Sequence, residues 1–310
     1  MLSLVVPATD RPPTLGRCLA AVARAQDGPD EVIVIDEPAG SGPAQARNEG
    51  ARRARGDVLC FVDADVEVHP DAFARMRAAL AADPSLDALF GAYDDRPEEP
   101  GTVSAFRNLL HHHVHWEGRG PATTFWAGLG AVRREPFFDA GGFDVERHPY
   151  AIEDIDLGMR MAASGRRIVL DPEIQGTHLK AWTLRSMVLT DFARRGAPWV
   201  ALLLRQRANG SAGRALNLGW RHRASALLSL AAATSVPTRR PRLGAAALAG
   251  LLALNRPFYL LLARRRGGAE AVMGVGLHVV HHLTGVAALP AGVVLHLRER
   301  RRDRPGRGPG

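Results

Sequence analysis

Short apolar runs alternate with segments of helical spacing over the first two hundred residues. Residues 2–6 form a β-branched-rich run, residues 31–36 an apolar run ending in an acid, and residues 57–63 a third ending in another acid. Each predicts a strand. Helical spacing lies between them, over 15–25 with Thr14 as N-cap, over 44–55 after a Gly/Pro loop at 38–43, and over 70–82 opened by Pro70. Apolar strands separated by helices of ten or more residues predict βαβ units, hence an α/β domain whose mostly parallel sheet is flanked by helices. In such sheets ligands collect at the carboxyl ends of the strands. Asp36 and Asp63 stand at two of those ends.

The pattern then loosens. Residues 86–176 hold a loop at 94–102, a helix carrying His111, His112, His113 and His115, a short strand expected near 125–127, and a helix near 152–163. The histidine helix is expected to be solvated or acceptor-facing, because adjacent helical positions diverge and no acid or cysteine completes a metal set. Residues 182–207 are amphipathic, with arginines on one side and Trp, Leu and Val on the other. Three apolar segments follow, at 224–236, 243–263 and 272–297. Crossing a bilayer takes about 20 apolar residues. The third segment meets that length, the second does so marginally because Asn255-Arg256-Pro257 interrupts it, and the first does not. Arginines flank every segment on both sides and assign no orientation. Hairpin or re-entrant helices with one or two true spans are expected, and the alternative is a buried helical domain. The predicted organisation is a domain at 1–180, interfacial helices at 181–222, a membrane-associated helical region at 223–298 and a disordered basic tail at 299–310.

Composition sharpens this in three respects. The chain has 310 residues, 46% of them hydrophobic and 23% charged, so a folded core is within reach. Its two cysteines, Cys18 and Cys60, exclude a disulfide scaffold and a cysteine-built zinc site. Residues 1–206 hold 23 basic and 29 acidic residues, whereas 207–310 hold 17 arginines and three acids. The positive charge belongs to the tail, and the sequence between its arginines is apolar, so an anionic lipid surface is expected and nucleic acid is not. The first residues are too short an apolar run for a signal peptide, and the N-terminal domain is expected in the cytoplasm.

The strongest chemical signal is Phe61-Val62-Asp63-Ala64-Asp65, a strand that delivers two carboxylates to the sheet's carboxyl edge. Hard divalent cations take oxygen ligands, and such a pair suits a metal that also bridges a diphosphate. Alone the motif is common. It stands in an ordered set: Val5-Val6-Pro7, Val34-Ile35-Asp36, Ala46-Arg47-Asn48-Glu49-Gly50, Gly56-Asp57-Val58-Leu59, the Asp63/Asp65 strand, Gly141-Gly142-Phe143-Asp144 and Glu153-Asp154-Ile155-Asp156-Leu157. From Leu2 to His178 this set resembles the inverting, membrane-associated family 2 glycosyltransferases.

The resemblance implies a GT-A type nucleotide-diphospho-sugar-binding domain and a set of roles. Pro7 and Thr9 match the segment that holds the nucleotide, and Asp36 the acid on its base, with a strand-end cap as the alternative. Arg47 and Asn48 match positions near the nucleotide and phosphates, Asp63 the ribose and metal side, and Asp65 the direct ligand of Mg2+ or Mn2+. Asp154 matches the general base, with Glu153 beside it on the substrate side. His178 matches a histidine brought to the metal or diphosphate, the alternative being structural. Lys180, the chain's single lysine, is a candidate phosphate contact. Trp126 is an acceptor-side wall or a core residue. Two departures surround the nucleotide pocket: Asp10-Arg11 replaces an asparagine-arginine pair, and Glu37-Pro38 replaces an acid with serine or threonine. No Gln-x-x-Arg-Trp motif of processive synthases is present, which argues for single-sugar transfer. The expected activity moves one sugar from a UDP- or GDP-sugar to a hydroxyl or phosphate of a lipid-linked or glycolipid acceptor, at a bacterial cell membrane. A nucleotidyltransferase and a non-catalytic membrane-tethered binder are the alternatives.

Overall fold

The computed structural model describes residues 1–208 and 219–302. Residues 209–218 of the expected interfacial segment and 303–310 of the expected basic tail lie outside the described residues; residues 299–302 are helical. The described chain divides into two compact units, one built on Met1–Thr183 with Arg256–Gly274, the other on 184–208, 220–255 and 275–302.

In the first unit the order is β1 (Leu2–Pro7), α1 (Leu15–Arg24), β2 (Glu31–Ile35), α2 (Pro43–Arg53), β3 (Val58–Val62), β4 (Val66–Val68), α3 (Ala72–Ala82), β5 (Ala88–Tyr93), α4 (Thr102–Glu117), β6 (Gly120–Ala122), β7 (Leu129–Arg133), α5 (Arg134–Asp139), α6 (Glu153–Ala163) and β8 (Ile168–His178). The strands form one sheet in the order β2-β1-β3-β7-β5-β8-β4, with β6 paired to β8. The sheet is mixed. β1 runs parallel to β2 and β3, and β5 to β8, while β7, β4 and β6 pair antiparallel with their neighbours. The parallel half is the stretch whose βαβ spacing is legible in the sequence.

Side chains alternate across each strand, as the period of two requires. Leu2, Leu4, Val6, Cys60 and Val62 enter one core with Val22 of α1 and Phe73 and Met76 of α3. Val5, Leu59 and Phe61 enter the other with Ala51 of α2, Phe137 of α5 and Leu157 and Met161 of α6. Helices on both faces therefore leave only the strand ends open.

Two local expectations are corrected. Thr14 makes no capping hydrogen bond; its own backbone is already helical (φ −80°, ψ −14°), so its hydroxyl is not placed to reach the next N–H groups. No strand forms at 125–127, which lies in the connection between β6 and β7. The apolar run there signals burial rather than pairing: Phe125 is a core residue, and the Ala127 N–H bonds a carboxylate instead of a neighbouring strand.

The second unit is helical: α7 (Leu184–Leu189), a π-helical turn (Thr190–Gly196), α8 (Ala197–Ala208), α9 (Trp220–Ser235) and α10 (Pro241–Leu254). α11 (Arg256–Arg266) begins after Asn255 and belongs to the first unit, where Phe258 meets Phe106 of α4 edge-on at 5.6 Å. The expected apolar segment at 243–263 is thus split between units. α12 (Gly268–Arg302) belongs to the second unit from Val275 onward. Among the described residues it is the one helix long and apolar enough by itself to cross a membrane; α10 and α11 pass that test only if the bent pair is one span.

Gly158 marks where α6 lies flush on the β6–β7 connection. A Cβ there would stand 2.2 Å from Phe125 N and 2.4 Å from Thr124 C, both backbone atoms that cannot rotate away. Gly158→Ala is expected to cost about 3 kcal/mol or more, at the upper end of overpacking effects. Thermal or denaturant unfolding checks this, and unchanged stability would refute the packing.

Candidate active site

The parallel strands β2, β1 and β3 end at one edge, and Asp36, Thr9 and Asp63 follow directly. There the two loops join: Ala8 N donates to Ile35 O at 2.8 Å and Gly40 N to Thr9 O at 3.0 Å. Pro7 is paired with Ile35 in register. Asp36 is exposed at this rim, free of the sheet's own hydrogen bonding, while Thr9 is buried.

Asp63 begins a tight turn, in which Val66 N donates to Asp63 O at 2.9 Å, and this turn sends the chain into β4. β4 pairs antiparallel with the end of β8, Val66 opposite His178, and Leu179 N donates to Asp65 O at 2.8 Å. Pairing thus brings His178 to Asp65 across 113 positions of sequence, and its Nε2 lies 3.6 Å from Asp65 Oδ2. The His178 ring is fixed on three sides. It stacks on Tyr93 at 4.2 Å and 12°, and its Nδ1 lies 2.7 Å from Asn108 Oδ1. That oxygen accepts from Nδ1–H, which leaves Nε2 as the ring atom that faces Asp65. A carboxylate oxygen and an imidazole nitrogen that face each other beyond hydrogen-bond length are placed as two ligands of one cation would be. A carboxylate and an imidazole suit Mg2+ or Mn2+.

Asp63 is placed differently from its partner acid. Its Oδ1 accepts from Arg47 Nη2 at 2.5 Å, and Arg47 Nη1 donates to Glu153 Oε1. Arg47 is 4% exposed and Glu153 3%. Arg47 therefore acts inside the protein, tying α2, β3 and α6 together, and its side chain also lies over the Phe143 ring. Asn48 is likewise committed. Its Nδ2 donates to Phe143 O at 2.8 Å and its Oδ1 accepts from Phe143 N at 2.9 Å, which pins the turn after Gly142. The side chains of Arg47 and Asn48, expected near the nucleotide and phosphates, bond to protein groups in this structure, because α2 turns them toward α6 and the 141–143 turn.

Asp154 stands on the first turn of α6. Ile152 before it adopts a left-handed conformation (φ 63°), rare for a β-branched residue, which swings the chain into the helix. Asp154 Oδ1 accepts from Ile155 N at 2.8 Å and Oδ2 from Ala127 N at 3.1 Å. The carboxylate is held rigidly with its remaining lone pairs uncommitted. Asp63 feels the charge of both Asp65 and Asp154, so the acids share one cluster.

Electrostatics follow from burial. Desolvation pushes Asp63 up despite Arg47, and pushes Glu153 up to about 7. Desolvation raises Asp65 too, but His178 and Lys180 outweigh it and hold its carboxyl below the ordinary range. Burial opposes the charge of Arg47, and the surrounding acids more than restore it. Four carboxyl groups meet two full cations, Arg47 and Lys180, and the excess negative charge favours a further cation. Lys180 lies over the Trp182 ring at 5.1 Å.

The histidine helix is not solvated. β5 pairs with β7 only through Phe90. Beyond that point the Gly91 and Tyr93 carbonyls bond His115 and His112, each at 2.8 Å through Nδ1. Both rings are buried. His111 packs on Tyr93 (4.2 Å) and on Trp126 (4.5 Å), and Trp126 meets Tyr93 edge-on at 4.9 Å. An aromatic wall of Trp126, Tyr93 and His111 thus adjoins the Asp65–His178 pair. Tyr93 and Asn108 were not singled out from sequence, since neither carries a local motif; the i, i+4 spacing of His111 and His115 was the available signal of a buried face.

Residues 37–138 match the sequence family described as glycosyl transferase family 2. Over that stretch the chain carries a family 2 glycosyltransferase domain. The chain is 26% identical to validoxylamine A glucosyltransferase of Streptomyces hygroscopicus subsp. limoneus over 57% of its own length and 51% of that protein. It is 23% identical to an uncharacterized glycosyltransferase of Haemophilus influenzae, over 62% and 72%. The match thus spans about half the length of the Streptomyces relative. Among solved structures, the mannosyltransferase PcManGT from Pyrobaculum calidifontis, in complex with GDP-Man and Mn2+, aligns with a TM-score of 0.55 at 17% identity, over 96% of this chain and 87% of that one. That likeness establishes the shared GT-A fold.

Glu153 supplies a pH signature. A carboxyl raised from 4.5 to about 7 keeps its proton to higher pH folded than unfolded, so its ionisation removes stability as pH climbs through that window. In metal-free protein, Glu153→Gln is expected to gain on the wild type by ~3 kcal/mol between pH 4.5 and 8. Denaturant unfolding across that range checks it; parallel profiles would contradict the assignment.

Proposed function

We propose that this glycosyltransferase moves a single sugar from a nucleotide-diphospho-sugar, a UDP- or GDP-sugar, to a hydroxyl or phosphate oxygen of a lipid-linked or glycolipid acceptor, with inversion at the anomeric carbon. The observation that carries this reading is the facing pair of Asp65 and His178, in the same acid cluster as the rigid carboxylate of Asp154.

Asp65 and His178 would hold Mg2+ or Mn2+ against the donor's diphosphate. Held there, such a cation would supply charge neutralisation for the leaving nucleoside diphosphate. Asp154 takes the proton of the acceptor hydroxyl as its oxygen bonds the anomeric carbon and the bond to the diphosphate oxygen breaks. Glu153 and Arg47 hold that end of α6 in place. The loops at Thr9 and Asp36 receive the nucleoside, and Lys180 a phosphate. Trp126 faces the acceptor, presented with Tyr93 and His111 as one wall. The complex of PcManGT with GDP-Man and Mn2+ supports the donor and metal classes.

The membrane reading rests on the helices. Val272, Leu289, Val293, Val294 and Leu297 are exposed large apolar residues on α12, as are Trp220 and Leu227 on α9. Such surface is stable in contact with lipid. A bacterial cell membrane with the sheet domain on the cytoplasmic side brings the site to a lipid-borne acceptor.

The test is nucleoside diphosphate release from a panel of nucleotide-sugars, with and without Mn2+, using lipid-linked acceptors in vesicles. Release of pyrophosphate instead, or turnover confined to water-soluble acceptors, contradicts the proposal. Asp154→Asn is expected to lower kcat by at least ~10²-fold while leaving nucleotide affinity intact. Asp65→Asn is expected to remove the Mn2+ enhancement of nucleotide binding, read by calorimetry. Trp126→Ala is expected to raise KM for the acceptor more than KM for the donor.

A further inference from the structure

The second unit contains a cluster that the transfer reaction does not use. His222 stands on α9, and His281 and His282 on α12. One nitrogen from each lies within 4.8 Å of the other two. The rings of His222 and His282 are 4.9 Å apart, and those of His281 and His282 5.3 Å. His278, one turn earlier and buried, has its ring 4.4 Å from His282.

Two features mark these histidines as more than packing. His282 is 2% exposed, and both its ring nitrogens are buried without a hydrogen-bond partner. A neutral imidazole buried that way leaves one donor and one acceptor unmet, a destabilising arrangement that proteins rarely keep. His281 is oriented by a buried carboxylate: its Nδ1 lies 2.7 Å from Asp191 Oδ2, on the π-helical turn. The carboxylate accepts a hydrogen bond from Nδ1–H and leaves Nε2 on the other side, the arrangement that prepares a histidine to bind a metal.

We propose that His222, His281 and His282 bind one Zn2+, with Asp191 positioning His281. Imidazole nitrogens suit late first-row metals, and Zn2+, without a directional preference of its own, tolerates a fourth position filled by water or His278. Zn–N bonds of about 2.0–2.1 Å put ligand nitrogens roughly 3.3 Å apart, so closure needs side-chain rotation of an ångström or so. The ion would staple α9 to α12 and the π-helical turn. This site is independent of the Asp65–His178 pair and of the transfer reaction.

The test uses the full chain in detergent, stripped with a chelator and dialysed against ZnCl2. One Zn2+ per chain beyond the wash is expected in the wild type and in Asp65→Asn, and none in His222→Gln or His281→Gln. Co2+ substituted into Asp65→Asn is expected to show the intense visible bands of a tetrahedral nitrogen site. Asp191→Asn is expected to weaken Zn2+ binding about 10–100-fold. Wild-type Zn2+ content in folded His222→Gln, loss of all Zn2+ in Asp65→Asn, or absent cobalt bands overturns the proposal. Should the histidine variants fail to fold, unchanged Zn2+ affinity in Asp191→Asn overturns it as well.

Discussion

The buried guanidinium of Arg47 ties three elements of the sheet domain together. It reaches from α2 to Asp63 at the end of β3 and to Glu153 at the start of α6. A charge this deep is tolerable only when paired on several sides, and removing one partner of such a set leaves another charge stranded. Glu153 and Asp154 are adjacent, so fixing the first aims the second. The position of the proposed base therefore depends on an ion pair that itself touches no solvent-facing pocket.

The same cluster is short of positive charge. Arg47 answers Asp63 and Glu153, which leaves Asp65 and Asp154 without an arginine partner and Asp65 with Lys180 as a further cation. A site with this imbalance gains from any divalent ion that brings a phosphate with it, and that is the physical link between the acid cluster and diphosphate chemistry. His178 completes the link because Asn108 and Tyr93 remove its freedom to turn away.

The histidines illustrate how one residue type serves different ends. On α4, His112 and His115 satisfy carbonyls that β5 exposes when it outruns β7. His178 faces a carboxylate across a gap, and His222, His281 and His282 converge with Asp191 holding His281 from outside. Only the partners of each ring separate structural filling from ligation.

Much of this molecule is legible along the chain. The three parallel strands follow from apolar runs of period two, the acids at their ends from strand geometry, and the family from the ordered motifs around Asp63, Asp65 and Asp154. Those are local properties, set by backbone preferences within a few residues. What the sequence did not contain is where distant side chains meet. Arg47 and Asn48 sit in a motif, yet their bonding is with Glu153, Asp63 and Phe143. The pairing of β4 with β8 selects His178, and the early end of β7 buries His112 and His115. The split of the apolar segment at Asn255 depends on Phe258 finding Phe106. Each of these contacts closes a loop of many residues, and loop closure is decided by the packing of the whole chain rather than by any window within it.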